Sequence, residues 1–155
     1  MKPKFKPDEY HTATPYLIIR DAAQAIEFYQ RVFGATEMMR MPGPGGKIMH
    51  AEIQIGDSRI MLADESPQMN AISPQTLGGS ASFLMLYVDD VDTMFGRAVA
   101  AGAKAERPVQ NQFYGDRSGG LVDPFGHRWH LATHIEDVTP EEITRRMAAM
   151  KGQPC

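Results

Sequence analysis

The sequence predicts an α+β fold of two βαβββ modules, each a mixed, curved sheet with a helix on one face. Three observations carry that expectation. The stretches LIIRDAAQAIEFYQRVFGATEMMRM, from Leu17, and MLYVDDVDTMFGRAVAAGAKAERPV, from Met85, share one order: apolar strand, Asp, amphipathic helix, Gly-Ala, second strand. Asp21 falls on Asp89 and Gly34 on Gly102 at a single offset, 89 − 21 = 68 and 102 − 34 = 68. Strand-like segments follow each helix, and a turn-rich stretch separates the copies.

The elements follow from local chemistry. Asp21 caps the first helix and Gln24, three residues on, completes a capping box. Ala22, Ala25, Ile26, Tyr29, Val32 and Phe33 form one apolar stripe at helical spacing, and Gly34 supplies the left-handed stop. In KIMHAEIQI the residues alternate, with Met49, Ala51, Ile53 and Ile55 on one face and Ile48, His50, Glu52 and Gln54 on the other. Gly56-Asp57 turns this strand into the next. In the second copy Asp89 or Asp90 is the cap, Val91, Met94, Phe95, Ala98 and Val99 are the stripe, and Gly102 is the stop. Thr139, Pro140 and Glu142 start a last helix over 140–150. The expected organisation is one domain, 1–155: a first module over 12–64, a linker over 65–79, a second module over 80–134, and a C-terminal helix and tail over 135–155.

Composition narrows the function classes. Hydrophobic residues at 43% and charged residues at 23% suit a globular core. The 16 basic and 19 acidic residues are dispersed, so neither a nucleic acid nor an anionic membrane is expected as a partner. No apolar run is long enough to span a bilayer, and a cytoplasmic location is expected. The single cysteine, Cys155, is expected to be a terminal thiol without a catalytic role.

Against this frame two stretches resemble a known family. TPYLIIRDAAQAIEFYQRVFGA is similar to the opening of vicinal oxygen chelate proteins. FYGDRSGGLVDPFGHRWHLATHIEDVTPEE resembles the end of their glyoxalase-like, demethylubiquinone-methyltransferase-like branch, with the Asp-Pro-Phe-Gly-His turn its most specific part. The resemblance covers nearly all of 12–142 and implies paired modules, a partly open barrel-like cavity and frequent dimerisation. It also implies a divalent ion held by four side chains from equivalent strands, polarising vicinal oxygens of a substrate. Carried over by position, these four fall on Thr14, Met61, Phe83 and His130. A hydroxyl, a thioether and a phenyl ring beside one imidazole are a poor donor set, so no metal and no cofactor is expected there.

The remaining candidates line the expected cavity. His50 and Glu52, two apart on one strand face, could meet His130 as a relocated metal site or act as an acid–base pair; the alternative is a solvated or hydrogen-bonded polar face. Arg117, near Tyr114 in a glycine-rich stretch, is a candidate fork for a carboxylate or phosphonate, against a plain surface ion pair. Trp129 is expected in the core, His127 exposed in its turn, and Met38, Met39, Met41 and Met61 in a methionine-rich core or cavity lining. The expected pocket set is thus Thr14, Tyr16, His50, Glu52, Met61, Phe83, Tyr114, Arg117 and His130. Tyr16, Ile18, Met61, Phe83 and Met85 on the free sheet faces need cover, which predicts a homodimer. Two functions remain open: a small-molecule binder like the bleomycin-resistance members, and a metal-dependent lyase, isomerase or dioxygenase.

Overall fold

The first strand, β1 (Tyr16–Ile19), runs through the capping residue Asp21 into α1 (Ala22–Phe33) in a computed structural model that describes residues 1–151. Cys155 lies outside the described residues. Asp21 accepts the Gln24 amide at 3.3 Å, and Gly34 ends the helix at φ 68°. The whole predicted stripe of α1 is buried, and so is Phe28, which the stripe omits. Phe28 is covered because its ring meets Phe125, 6.1 Å away, on the turn Pro124–His127. That turn groups with Met1–Ala81 as one compact unit, while Ser82–Asp123 and the chain from Arg128 onward form a second.

In the first unit β2 (Thr36–Pro42), β3 (Ile48–Ile55) and β4 (Ser58–Asp64) complete a sheet of order β1-β4-β3-β2, with β1 parallel to β4 and the other pairs antiparallel. From His50 onward β3 alternates as expected. At its start the order reverses: Ile48 is buried and Met49 is 62% exposed. The pairing with β2 slips between Met41 and Pro42, and such a bulge turns the next side chain to the opposite face. Met38, Met39 and Met41 are exposed on the edge strand β2 and form no core.

The stretch expected as a linker is ordered by hydrogen bonds. It holds a bridge between Ser66 and Ala71 and a short helix, α2 (Pro74–Leu77). The Glu65 carboxylate accepts from the Ser73 amide at 3.0 Å and the Thr76 hydroxyl at 2.8 Å. The Ser73 hydroxyl and amide, with Thr76, hold Glu65 down at about 2. Asp64, buried at the end of β4, accepts the amides of Ala22 at 3.0 Å and Ile48 at 2.7 Å, tying the helix start to the strand start.

The second unit repeats the plan. Its elements are β5 (Phe83–Tyr87), α3 (Val91–Ala100), β6 (Lys104–Asn111), β7 (Asp116–Val122), β8 (Arg128–His134) and α4 (Pro140–Ala149), with sheet order β5-β8-β7-β6. Asp90, not Asp89, caps α3, accepting the Thr93 amide at 3.0 Å. The offset is therefore 90 − 21 = 69 at the helix start and 102 − 34 = 68 at the glycine stop, because the second helix is shorter. Thr133 stands where Asp64 stands (133 − 64 = 69), accepting the Val91 amide at 3.0 Å and donating to the Val88 carbonyl at 2.8 Å. Of the predicted α3 stripe, Val91 and Ala98 are buried, Met94 and Phe95 half-buried, and Val99 exposed. Trp129 is in the core, donating to Asp123 at 2.8 Å. No helix among the described residues is long and apolar enough to cross a membrane.

Replacing Asp64 by Ala leaves two buried amides without an acceptor, which should cost about 2–5 kcal/mol of stability. Asp64→Asn, which keeps one oxygen acceptor, should cost less. Urea denaturation of both variants measures the difference.

Candidate functional site

The pairing of the second sheet aligns four residues across its strands: Met85 opposite His130, His130 opposite Gly120, and Gly120 opposite Arg107. Leu121, Trp129 and Leu131 turn into the core, so alternation leaves this row on the other face. There a cavity of about 310 Å³ is lined by Phe83, Met85, Arg107, Tyr114, Gly120 and His130, among others. A Cβ at Gly120 would lie 3.6 Å from His130 Nδ1 and 3.7 Å from the Arg107 Cβ. The missing side chain therefore leaves a slot between the imidazole and the arginine stem.

The charges of this cavity are unequal. Glu106 accepts from Arg128 at 3.1 Å, and that guanidinium lies 5.9 Å from the Phe83 ring centre. Among the described residues no carboxylate pairs with Arg107, and His130 makes no hydrogen bond. Burial, then the Arg107 charge, pushes His130 below the ordinary imidazole value. The ring is neutral at neutral pH and can offer one donor and one acceptor.

The matching row of the first sheet reads Tyr16, Met61, Glu52 and Met39. It carries a hydrogen-bonded chain. The Tyr16 hydroxyl is 2.7 Å from His50 Nδ1, and His50 Nε2 is 3.2 Å from Glu52 Oε1. With the ring hydrogen on Nε2, His50 donates to Glu52 and accepts from Tyr16, the tautomer that satisfies both neighbours. The Tyr10 hydroxyl is buried near Glu52 without completing a hydrogen bond of standard geometry, and Arg59 sits 5.9 Å from the Tyr10 ring centre. Burial, with Glu52 beside it, raises Tyr10 to about 12. The Tyr10 hydroxyl, then His50, holds Glu52 below the usual carboxylate range. Tyr16 is raised by burial and by the Glu52 charge.

The predicted pocket residues divide accordingly. Tyr16, His50, Glu52 and Met61 share the first sheet's free face, and Thr14, just before β1, donates weakly to the His11 carbonyl at 3.4 Å. Phe83, Tyr114 and His130 line the cavity of the second unit. His50 and Glu52 thus belong to one unit and His130 to the other. Arg117 is committed elsewhere: its fork donates to Asp92 at 2.6 and 2.8 Å and to Asn111 at 2.9 Å. Arg107, which the sequence reading passed over, is the unpaired guanidinium at the cavity. Its face was hidden by pairing irregularities of β6 on either side of it. His127 is half-buried, not exposed, with Nε2 2.9 Å from the Ile18 carbonyl oxygen. His134, unassigned from sequence, bridges Asp116 at 2.8 Å and Asp137 at 2.9 Å.

Comparison with known proteins agrees with this architecture. Residues 10–131 match the family described as the Glyoxalase/Bleomycin resistance protein/Dioxygenase superfamily. The chain belongs to that superfamily. It is 43% identical over 143 residues to the uncharacterized protein Mb0911c of Mycobacterium bovis, covering 90% of this chain and 92% of that one. The crystal structure of TioX from Micromonospora sp. ML1 is similar at 27% identity and a TM-score of 0.62, covering 83% of this chain and all of that one. The fosfomycin resistance protein FosX of Listeria monocytogenes, solved with Mn(II) and sulfate, shares the fold at 20% identity and a TM-score of 0.61, covering 88% and 97%.

The family's divalent ion can be tested against these donors. Strand pairing makes Met61 and His130 equivalent, on β4 opposite Tyr16 and on β8 opposite Met85, and puts Thr14 and Phe83 two residues before those partners. Of the four, only the imidazole is a strong donor, so this set does not fit the ion. Among the described residues no three His, Cys, Asp or Glu side chains group as an alternative.

Glu52→Gln should remove the charge that raises the two tyrosines. Tyr10 and Tyr16 should then ionise at lower pH than in the unmodified protein, as read from tyrosinate absorbance in an alkaline titration.

Proposed function

We propose that this protein binds a small molecule on the free face of its second sheet and does so without the superfamily's standard metal. The observation that carries the reading is the cavity beside Phe83 and Met85, which combines an apolar wall with two uncommitted polar groups, Arg107 and His130. A few convergent polar groups on an apolar concave wall are the usual make-up of a ligand site. Thr14, Tyr16, His50, Glu52 and Met61 on the first unit form a second, polar lining. The proposed setting is the cytoplasm, with no nucleic acid or membrane as partner.

A second reading, a lyase, isomerase or dioxygenase, is favoured by one feature. Glu52 orients His50, and His50 faces the Tyr16 hydroxyl, the order of groups needed for general acid–base work. The manganese in the structure of FosX also supports it. Metal analysis of protein purified without chelator separates the two. Background metal, unchanged in His130→Ala, together with thermal stabilisation by library compounds that is lost in Phe83→Ala, supports the binder. Near-stoichiometric Mn, Fe, Ni or Zn supports the enzyme.

We also propose a homodimer. Tyr16, Phe83 and Met85 are 46%, 57% and 40% exposed on the free faces, more apolar surface than a monomer keeps without reason. Light scattering at micromolar concentration should give twice the chain mass; the mass of one chain counts against it.

A further inference from the structure

Gly120 and Gly119 are neighbours on β7 with opposite reasons for being glycine. A Cβ at Gly119 would lie 2.9 Å from Val109 and 3.0 Å from Phe95, so the packing there leaves no room for one. At Gly120 the nearest atoms would be at 3.6 Å or more, an ordinary contact, and no left-handed backbone is involved. The fold itself therefore does not require glycine at 120. What the missing side chain provides is a floor of bare backbone between His130 and Arg107.

Around that floor one guanidinium lacks a carboxylate partner among the described residues, while the Asp116 carboxylate, on the same strand as Gly120, acts on His130. Arg128 is matched by Glu106 at 3.1 Å, and Arg107 has no carboxylate partner among the described residues. Arg117, the other nearby guanidinium on this sheet, is spent on Asp92. A guanidinium left open beside an apolar wall is suited to one kind of ligand group, an oxyanion that takes two parallel hydrogen bonds. The unpaired imidazole across the slot adds a further N–H. Tyr114 stands at the cavity in a loop held in place from outside: Arg146 donates to the Phe113 carbonyl at 3.0 Å. Gly115, at φ 105°, packs so closely on the Glu136 carbonyl that a Cβ would sit 2.1 Å from its oxygen.

We propose that Arg107, Gly120 and His130 form an oxyanion subsite, which seats the carboxylate, phosphonate or phosphate of a small ligand whose apolar part lies against Phe83 and Met85. This assignment rests on the small-molecule reading above and names the ligand class for it. Arg107 selects the charge, and Gly120 leaves room for the group.

Isothermal titration with benzoate and phenylphosphonate, against neutral benzamide and benzyl alcohol, tests it. At least one oxyanion should bind about tenfold tighter than the neutral probes, the size expected of a charge-assisted pair. The stronger of the two distinguishes a planar from a tetrahedral group. Arg107→Gln should abolish the preference and Arg107→Lys keep part of it. Gly120→Ala should weaken the oxyanion about tenfold with the melting temperature unchanged. Equal binding of charged and neutral probes, or a preference that survives in Arg107→Gln, overturns the subsite and leaves the small-molecule reading standing. No binding by any probe, charged or neutral, overturns both.

Discussion

Parallel pairing of β1 with β4, and of β5 with β8, cannot be closed by a hairpin. The chain must leave each first strand through a helix and return through antiparallel strands before the last strand can take its central place. That constraint sets the rest of each unit. It covers one sheet face with α1 or α3 and leaves the other free. It also fixes the registers that give Tyr16, Met61, Glu52 and Met39 in one row and Met85, His130, Gly120 and Arg107 in the other. At the end of each last strand a polar side chain closes the circuit, Asp64 in one unit and Thr133 in the other, by accepting the first amide of the helix.

The two rows have diverged in chemistry while keeping their geometry. The first holds a carboxylate among hydroxyl and imidazole groups, and its charge is met locally by His50, Arg59 and Tyr10. The second holds an arginine and a histidine about a glycine, with no carboxylate among the described residues paired to the arginine. At the strand positions where the superfamily resemblance implies metal ligands, thioether and phenyl groups stand in for donors. On the proposed reading such a surface selects ligands by charge and apolar contact.

Much of the fold was legible because helix signals are local. Asp21 with Gln24, Thr139 with Glu142 and the glycine stops act within a few residues of the chain, and the repeat multiplied their weight. What was misread depended on pairing. Met49 exchanged faces with Ile48 because β3 bulges at Met49, between His50 opposite Met41 and Ile48 opposite Pro42, and the shift of offset from 69 to 68 reflects one residue fewer between helix cap and glycine in the second unit. Phe28 fell outside the predicted stripe, and the turn carrying Phe125 covers it. The site was harder still. Alternation put His50 and Glu52 on one face correctly. Whether Arg117 was free or spent on an ion pair, however, depended on Asp92, which is distant in sequence and adjacent across the fold.

On the proposed reading, a ligand sits on the free face of the second sheet, at Arg107. The most direct measurement is an NMR titration of methyl-labelled methionine with phenylphosphonate, since Met85 lies in the same row as His130 and Arg107. A saturable shift of the Met85 methyl that disappears in Arg107→Gln is expected. A Met85 methyl that stays fixed while other methionines shift on saturation would contradict that reading.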